Sequence, residues 1–171
     1  SEIFGSLTAN GQVFLVNPNG VLFGQGASVN VGGLVASTLN IGDEDFLAGR
    51  YRFLSSGLAG AVVNAGTLRA GDGGTVALLG GQVSNEGTIA AKLGTVALAS
   101  GGRVTLDFAG DGLTQVSVDE EAVGAEVRNR GMIVADGGQA LMTARAAGDL
   151  VRTVVNQSGV VRASALVQRG G

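Results

Sequence analysis

The residues best suited to chemistry in this chain are its carboxylates, which fall in three small groups: Asp43, Glu44 and Asp45; Asp107 and Asp111; Asp119, Glu120 and Glu121. Paired carboxylates held in a pocket can pass protons to a sugar oxygen or grip a hard cation. Neither arrangement is written here. The groups lack the full ligand spacing of a calcium loop and adjoin turn residues. The chain has no His and no Cys, which removes the commonest general base, the thiolate nucleophile and the soft metal ligands. The glycine pairs Gly73-Gly74, Gly80-Gly81 and Gly101-Gly102 do not have the spacing of a phosphate loop. No catalytic residue, metal ligand or cofactor is therefore expected.

The firmest local motif is Asn17-Pro18-Asn19-Gly20. Asn at the first position of a turn caps it through its side chain, Pro at the second arrives with φ already set, and Asn followed by Gly tolerates the bends that close it. Pro18 has no N–H to give a ladder, so it belongs at a corner or an edge.

What positions such corners is a repeat. Asn64 with Gly66, Asn85 with Gly87, Asn129 with Gly131 and Asn156 with Gly159 each follow a Val-rich stretch and precede another apolar one. The Asn spacings are 21, 44 and 27 residues, which read as one step, two steps and one step with a small insertion. A period in this range marks a solenoid, whose units bury their apolar faces only by stacking. Within each unit the apolar residues alternate, as Val62, Leu68, Ala70, Val76 and Leu78 do, so the unit is built of strands. Asn and Gly are expected at tight or left-handed corners between them.

The reading that follows is all-β: a right-handed parallel β-helix of about eight turns, on the order of 40 Å long at one strand spacing per turn. Residues 1–171 form one domain. Two kinds of interruption are expected. Residues 103–118 have hairpin grammar, with Val104, Leu106 and Phe108 alternating before Gly110-Asp111-Gly112 and Val116 and Val118 alternating after it. A capped helical turn or a loop with acids at its start is expected at Asp43–Gly49, and short helical pieces at Asp119–Glu121 with Ala122 and Val123 and at 144–153.

Composition narrows the partners. A net charge of -3, with one Lys and no basic stripe, argues against nucleic acid. Six of the seven aromatic residues (Phe4, Phe14, Phe23, Phe46, Tyr51 and Phe53) lie before the repeat settles, so the beginning of the chain is built differently.

The stretch Leu7 to Gly24 (LTANGQVFLVNPNGVLFG), followed by Val31 to Thr38 (VGGLVAST), resembles the secretion domain of filamentous haemagglutinin-type exoproteins of two-partner secretion. Asp45 to Gly49 (DFLAG), Val104 to Phe108 (VTLDF), Gly110 to Gly112 and Ala135 to Gly138 (ADGG) resemble the same family, in the same order. The resemblance implies a right-handed β-helix exported through an outer-membrane transporter with periplasmic docking domains. It implies a secreted or cell-surface location, at the base of a long adhesin that touches host or neighbouring cells through regions outside this chain. The family's recognition motif falls on Asn17, Pro18, Asn19 and Gly20. Its upstream partner motif and N-terminal cap are not in this stretch, so the chain reads as a partial secretion domain. The alternative is a fibre subunit, in which uncapped coils stack head to tail and self-associate into filaments.

Overall fold

The computed structural model describes residues 1–41, 50–55, 60–109, 112–146 and 155–170. The helical turn or loop expected at Asp43–Gly49, the tip of the hairpin at Gly110 and Asp111, and most of the insertion expected at 144–153 lie outside these residues.

Short runs rich in Val, Ile, Leu and Thr, separated by Gly and Asn, form strands that visit three columns in the same order on each circuit. One circuit is Ala61–Asn64, Thr67–Ala70 and Thr75–Gly80; the next is Gln82–Asn85, Thr88–Ala90 and Thr95–Ser100. The first column is a six-stranded parallel sheet of Glu2–Ile3, Val21–Phe23, Ala61–Asn64, Gln82–Asn85, Val127–Asn129 and Val155–Gln157. The other two columns share one ten-stranded sheet, because the long strand Met132–Ala144 runs through both. Register is set by like stacking on like. Val62 lies over Val83 and Val83 over Val127, while Val29, Leu68, Ile89 and Ile133 form a second file. These side chains fill one continuous interior with Val76, Val96, Leu78, Leu98 and Met142.

A second core lies outside the first. Every residue of Thr75–Gly80 and Thr95–Ser100 is buried, so these strands are covered on both faces. Val76 and Leu78 belong to the interior, whereas Ala77, Leu79, Ala97 and Ala99 pack outward against Phe53, Val104, Leu106, Leu113 and Val118. The cover is a four-stranded antiparallel sheet in which Arg103–Ala109 pairs with Gly112–Glu120 on one side and Arg50–Leu54 on the other, and Asn40–Ile41 adds to the latter. Leu113 fastens it: its N–H donates to Thr75 Oγ1 at 3.1 Å and its carbonyl accepts from Thr95 Oγ1 at 3.2 Å. Tyr51 closes the edge, its ring centroid 5.4 Å from that of Phe14 and 5.2 Å from that of Phe108.

One local expectation is corrected. Asp119 and Glu120 do not begin a helix but end the strand Gly112–Glu120, and no helix occurs among the described residues. Glu120 is held opposite Arg103 by a 3.3 Å ion pair, and Asp119 accepts from the Thr105 hydroxyl at 2.6 Å. Cross-strand partners outweigh the capping tendency of an acidic run.

Of the two kinds of corner expected for the repeat glycines, tight or left-handed, the tight one describes their geometry. Gly66, Gly87, Gly131 and Gly159 are not at left-handed positions; a Cβ on any of them would run into backbone of the preceding circuit. Left-handed residues form a separate file at another corner: Gly73 (φ 79°), Leu93 (φ 59°) and Gly137 (φ 73°). Leu93 is the one residue of the file with a side chain to strain, and that side chain is 57% exposed. Leu93→Gly is expected to raise stability by about 0.5 kcal/mol, the relief of left-handed strain exceeding the added freedom of the unfolded chain. Urea denaturation would read this as a higher midpoint at unchanged slope.

Candidate functional site

The turn at Asn17–Gly20 carries the chain from strand Gln12–Val16 to strand Val21–Phe23, between the two parallel sheets. It is closed by the Gly20 N–H donating to the Asn17 carbonyl at 3.1 Å. The Asn19 N–H donates to Asn17 Oδ1 at 3.0 Å, which makes an Asx turn inside the backbone turn. Its underside is locked to the next circuit. The Asn17 N–H donates to the Ser37 carbonyl at 2.9 Å, and the Pro18 carbonyl accepts from Gly60 N–H at 3.0 Å. Gly60 approaches so closely that a Cβ there would lie 2.6 Å from the Asn19 carbonyl oxygen. On the opposite side Ser1 meets the turn, its Oγ accepting from Asn17 Nδ2 at 3.0 Å and its amino group donating to the Gly20 carbonyl at 2.7 Å; Pro18 and Asn19 are exposed, and the Asn19 side-chain amide has no hydrogen-bond partner among the described residues. The turn is thus a rigid corner offering one uncommitted amide to solvent.

The repeat asparagines do something different. Asn64, Asn85 and Asn129 are fully buried, and their side chains form a ladder along the stack. Asn64 Nδ2 donates to Asn85 Oδ1 at 2.9 Å, and Asn85 Nδ2 donates to Asn129 Oδ1 at 2.9 Å. Asn129 Nδ2 then donates to Gln157 Oε1 at 2.6 Å. At the head of the ladder Asn64 Oδ1 accepts from the Gly66 N–H, and at its foot Gln157 Nε2 donates to the Gly159 carbonyl. Asn64, Asn85 and Asn129 have no solvent exposure and every amide of the file is paired, the condition under which such a chain of hydrogen bonds strengthens itself.

The fourth rung corrects the sequence reading. Gln157, not Asn156, lies opposite Asn129, and Asn156 pairs with Arg128 on the outer face, where its Nδ2 donates to Glu126 Oε2 at 3.2 Å. The unit is an amide residue, any residue, then Gly: Asn64 and Gly66, Asn85 and Gly87, Asn129 and Gly131, Gln157 and Gly159. Gly159 keeps its place, since its Cβ would meet the Gly131 carbonyl as Gly131's would meet that of Gly87.

Five of the described acidic residues, Asp119, Glu120, Glu121, Glu126 and Asp136, are engaged by cations, a hydroxyl or an amide. An open groove beside the antiparallel sheet is lined by Gly81, Gly101, Gly102, Glu120, Glu121 and Val123. Its two carboxylates face Arg103 and Arg145, the latter at 3.8 Å from Glu121. Asp136 is gripped in two-pronged fashion by Arg162, at 2.7 Å from Nε and 2.6 Å from Nη2. That hydrogen-bonded pairing holds the Asp136 carboxyl below its usual range and raises the Arg162 guanidinium. The Asp136 carboxylate, so paired, is poorly placed to carry protons.

Comparison with known proteins gives a consistent picture. The TPS secretion domain family matches the chain over residues 1–171. The heme/hemopexin-binding protein of Haemophilus influenzae is 34% identical over 144 residues, covering 79% of this chain and 16% of that protein. A second Haemophilus influenzae protein of the same description is 58% identical over 41 residues, 24% of this chain and 4% of its own length. Among solved structures, the HMW1 secretion domain from Haemophilus influenzae superposes with a TM-score of 0.76 at 31% identity, covering 95% of this chain and 48% of that one. The chain therefore spans a small fraction of the first curated relative it matches.

Proposed function

Because the chain belongs to the TPS secretion domain family, we propose that it is the export-directing front end of a filamentous haemagglutinin-like exoprotein, read by its transporter through the Asn17–Gly20 turn. Membership places it in a secreted exoprotein that crosses the outer membrane with the help of an outer-membrane transporter. In our reading the docking domains of that transporter meet Pro18 and Asn19 on the periplasmic side. Outside the cell the chain coils as a non-enzymatic, right-handed parallel β-helix, the hand favoured for parallel crossovers, in which the described residues make six circuits and not the eight expected. It would then form the base of an adhesin whose contacts with host or neighbouring cells lie elsewhere in the exoprotein.

The observation that carries the recognition role is the pairing of a backbone-locked underside with an exposed, unpartnered Asn19 amide. A partner meeting such a corner gains a hydrogen bond without ordering a loop. Asn19→Ala, co-expressed in the intact exoprotein with its transporter, is expected to lower export into the medium about tenfold, equivalent to roughly 1.4 kcal/mol of binding. The purified variant is expected to melt with the parent. Unchanged export would leave the turn as a corner only.

A further inference from the structure

We propose that Met132 is an oxidation site, where peroxides convert the thioether to a sulfoxide without disturbing the stack, and that burial keeps Met142 from the same reaction. The chain has two methionines and no Cys, His or Trp, so methionine sulfur is its most readily oxidised group. An exported chain meets such oxidants outside the reducing interior of the cell. The two sulfurs sit in opposite settings. Both belong to the strand Met132–Ala144, whose circuit has another stacked on each side. Met132 faces solvent in a file with Thr88 of the preceding circuit and is 43% exposed. Met142 is 1% exposed and lies in the interior against Leu98. The backbone at Met132 is held independently of its side chain. Its N–H donates to the Gly87 carbonyl at 2.9 Å and its carbonyl accepts from Asn85 Nδ2 at 3.3 Å, so this rung is tied to the amide file.

In the reaction the sulfur lone pair attacks one oxygen of the peroxide, and the O–O bond breaks. With hydrogen peroxide the second oxygen leaves as water, taking up the proton that the first one carried. The thioether is oxidised to the sulfoxide and one peroxide is reduced to one water. The product is a polar group with an acceptor oxygen. At Met132 that oxygen enters solvent, with the Thr88 hydroxyl as a possible donor one strand spacing away in the same file. At Met142 the same oxygen would stand without a donor among Val96, Leu98 and Leu78, the setting in which a polar atom is most costly. Oxidation of Met142 therefore waits for the domain to open, and the first oxygen goes to Met132.

The test is peptide mapping by mass spectrometry of the whole folded domain after timed exposure to hydrogen peroxide. Met132 is expected to gain oxygen at close to the rate of free methionine in the same solution. Met142 is expected to react at least about tenfold more slowly, through the opened fraction alone, and the two rates to converge in urea. The singly oxidised protein is expected to melt with the parent, and Met132→Leu to abolish the early oxygen uptake while keeping the circular dichroism of the fold. Comparable rates in the folded protein, faster oxidation of Met142, or a fall in melting temperature on the first oxidation would each overturn the proposal.

Discussion

Asn85→Ala is expected to destabilise the domain by about 3 kcal/mol, far more than a three-atom polar truncation on a surface would. Asn85 is the middle rung. Without it Asn129 Oδ1 loses its donor and Asn64 Nδ2 loses its best acceptor, keeping only carbonyls 3.3 Å away at Gly66 and Thr88. Both stranded groups are in residues with no solvent exposure, so water cannot repair them, and a small cavity is added. The ladder also predicts a gradient. Gln157→Ala removes a terminal, half-buried rung and is expected to cost about 1 kcal/mol. Equilibrium urea unfolding of the two variants would show the difference as separated midpoints; equal costs would mean that the amides act as independent pairs.

Gly94→Ala is expected to leave no folded domain, a loss of at least about 4 kcal/mol. Its Cβ would fall within the radius of the Gly74 carbonyl oxygen, and backbone at that point has nowhere to move. Gly74 is itself pressed on the Gly32 carbonyl, and Gly138 on that of Gly94, so relief in one circuit compresses the next. Gly73→Ala, one residue from that file, makes the contrast. Gly73 is left-handed at φ 79° but has open space around it, and its replacement is expected to cost about 1 kcal/mol. Adjacent glycines thus serve different needs: Gly73 the backbone angle, Gly74 the distance between circuits. Circular dichroism and yield of soluble protein would separate the two variants.

The stacked architecture was legible because each circuit must repeat the same pattern of inward residues, and Val62, Val83 and Val127 or Leu68, Ile89 and Ile133 keep that pattern in sequence. The role of the repeat asparagines was not. A buried amide and a corner amide look alike in a sequence, and only the vertical alignment of Asn64, Asn85 and Asn129 distinguishes them. Gln157 was hidden for a related reason: Asn156 beside it matches the letter of the repeat, while the longer Gln157 side chain reaches the same hydrogen bond from the aligned position.

The second core left a signal that alternation obscured. Reading Val76 and Leu78 as one face treats Ala77 and Leu79 as outward, yet these are also apolar, as are Ala97 and Ala99 in the next circuit. Strands apolar at nearly every position are covered on both sides. What covers them was partly in view as the Arg103–Glu120 pair of strands. Its partner Arg50–Leu54 joins from some fifty residues earlier, through contacts that no local period encodes. The Asn17–Gly20 turn, by contrast, is fixed by its own four residues and by Gly60, so sequence predicts its shape but not its locked underside.

The claim on which the rest stands is that a continuous file of side-chain amides runs through a dry interior and fixes one circuit over the next. Solution NMR of the nitrogen-15-labelled domain tests it directly, by hydrogen exchange of the Asn64, Asn85 and Asn129 side-chain NH₂ groups. The account predicts that these protons exchange as slowly as the core backbone amides, by global unfolding, and show through-space contacts from each asparagine to the next. Exchange at the rate of the exposed Asn19 amide would contradict it.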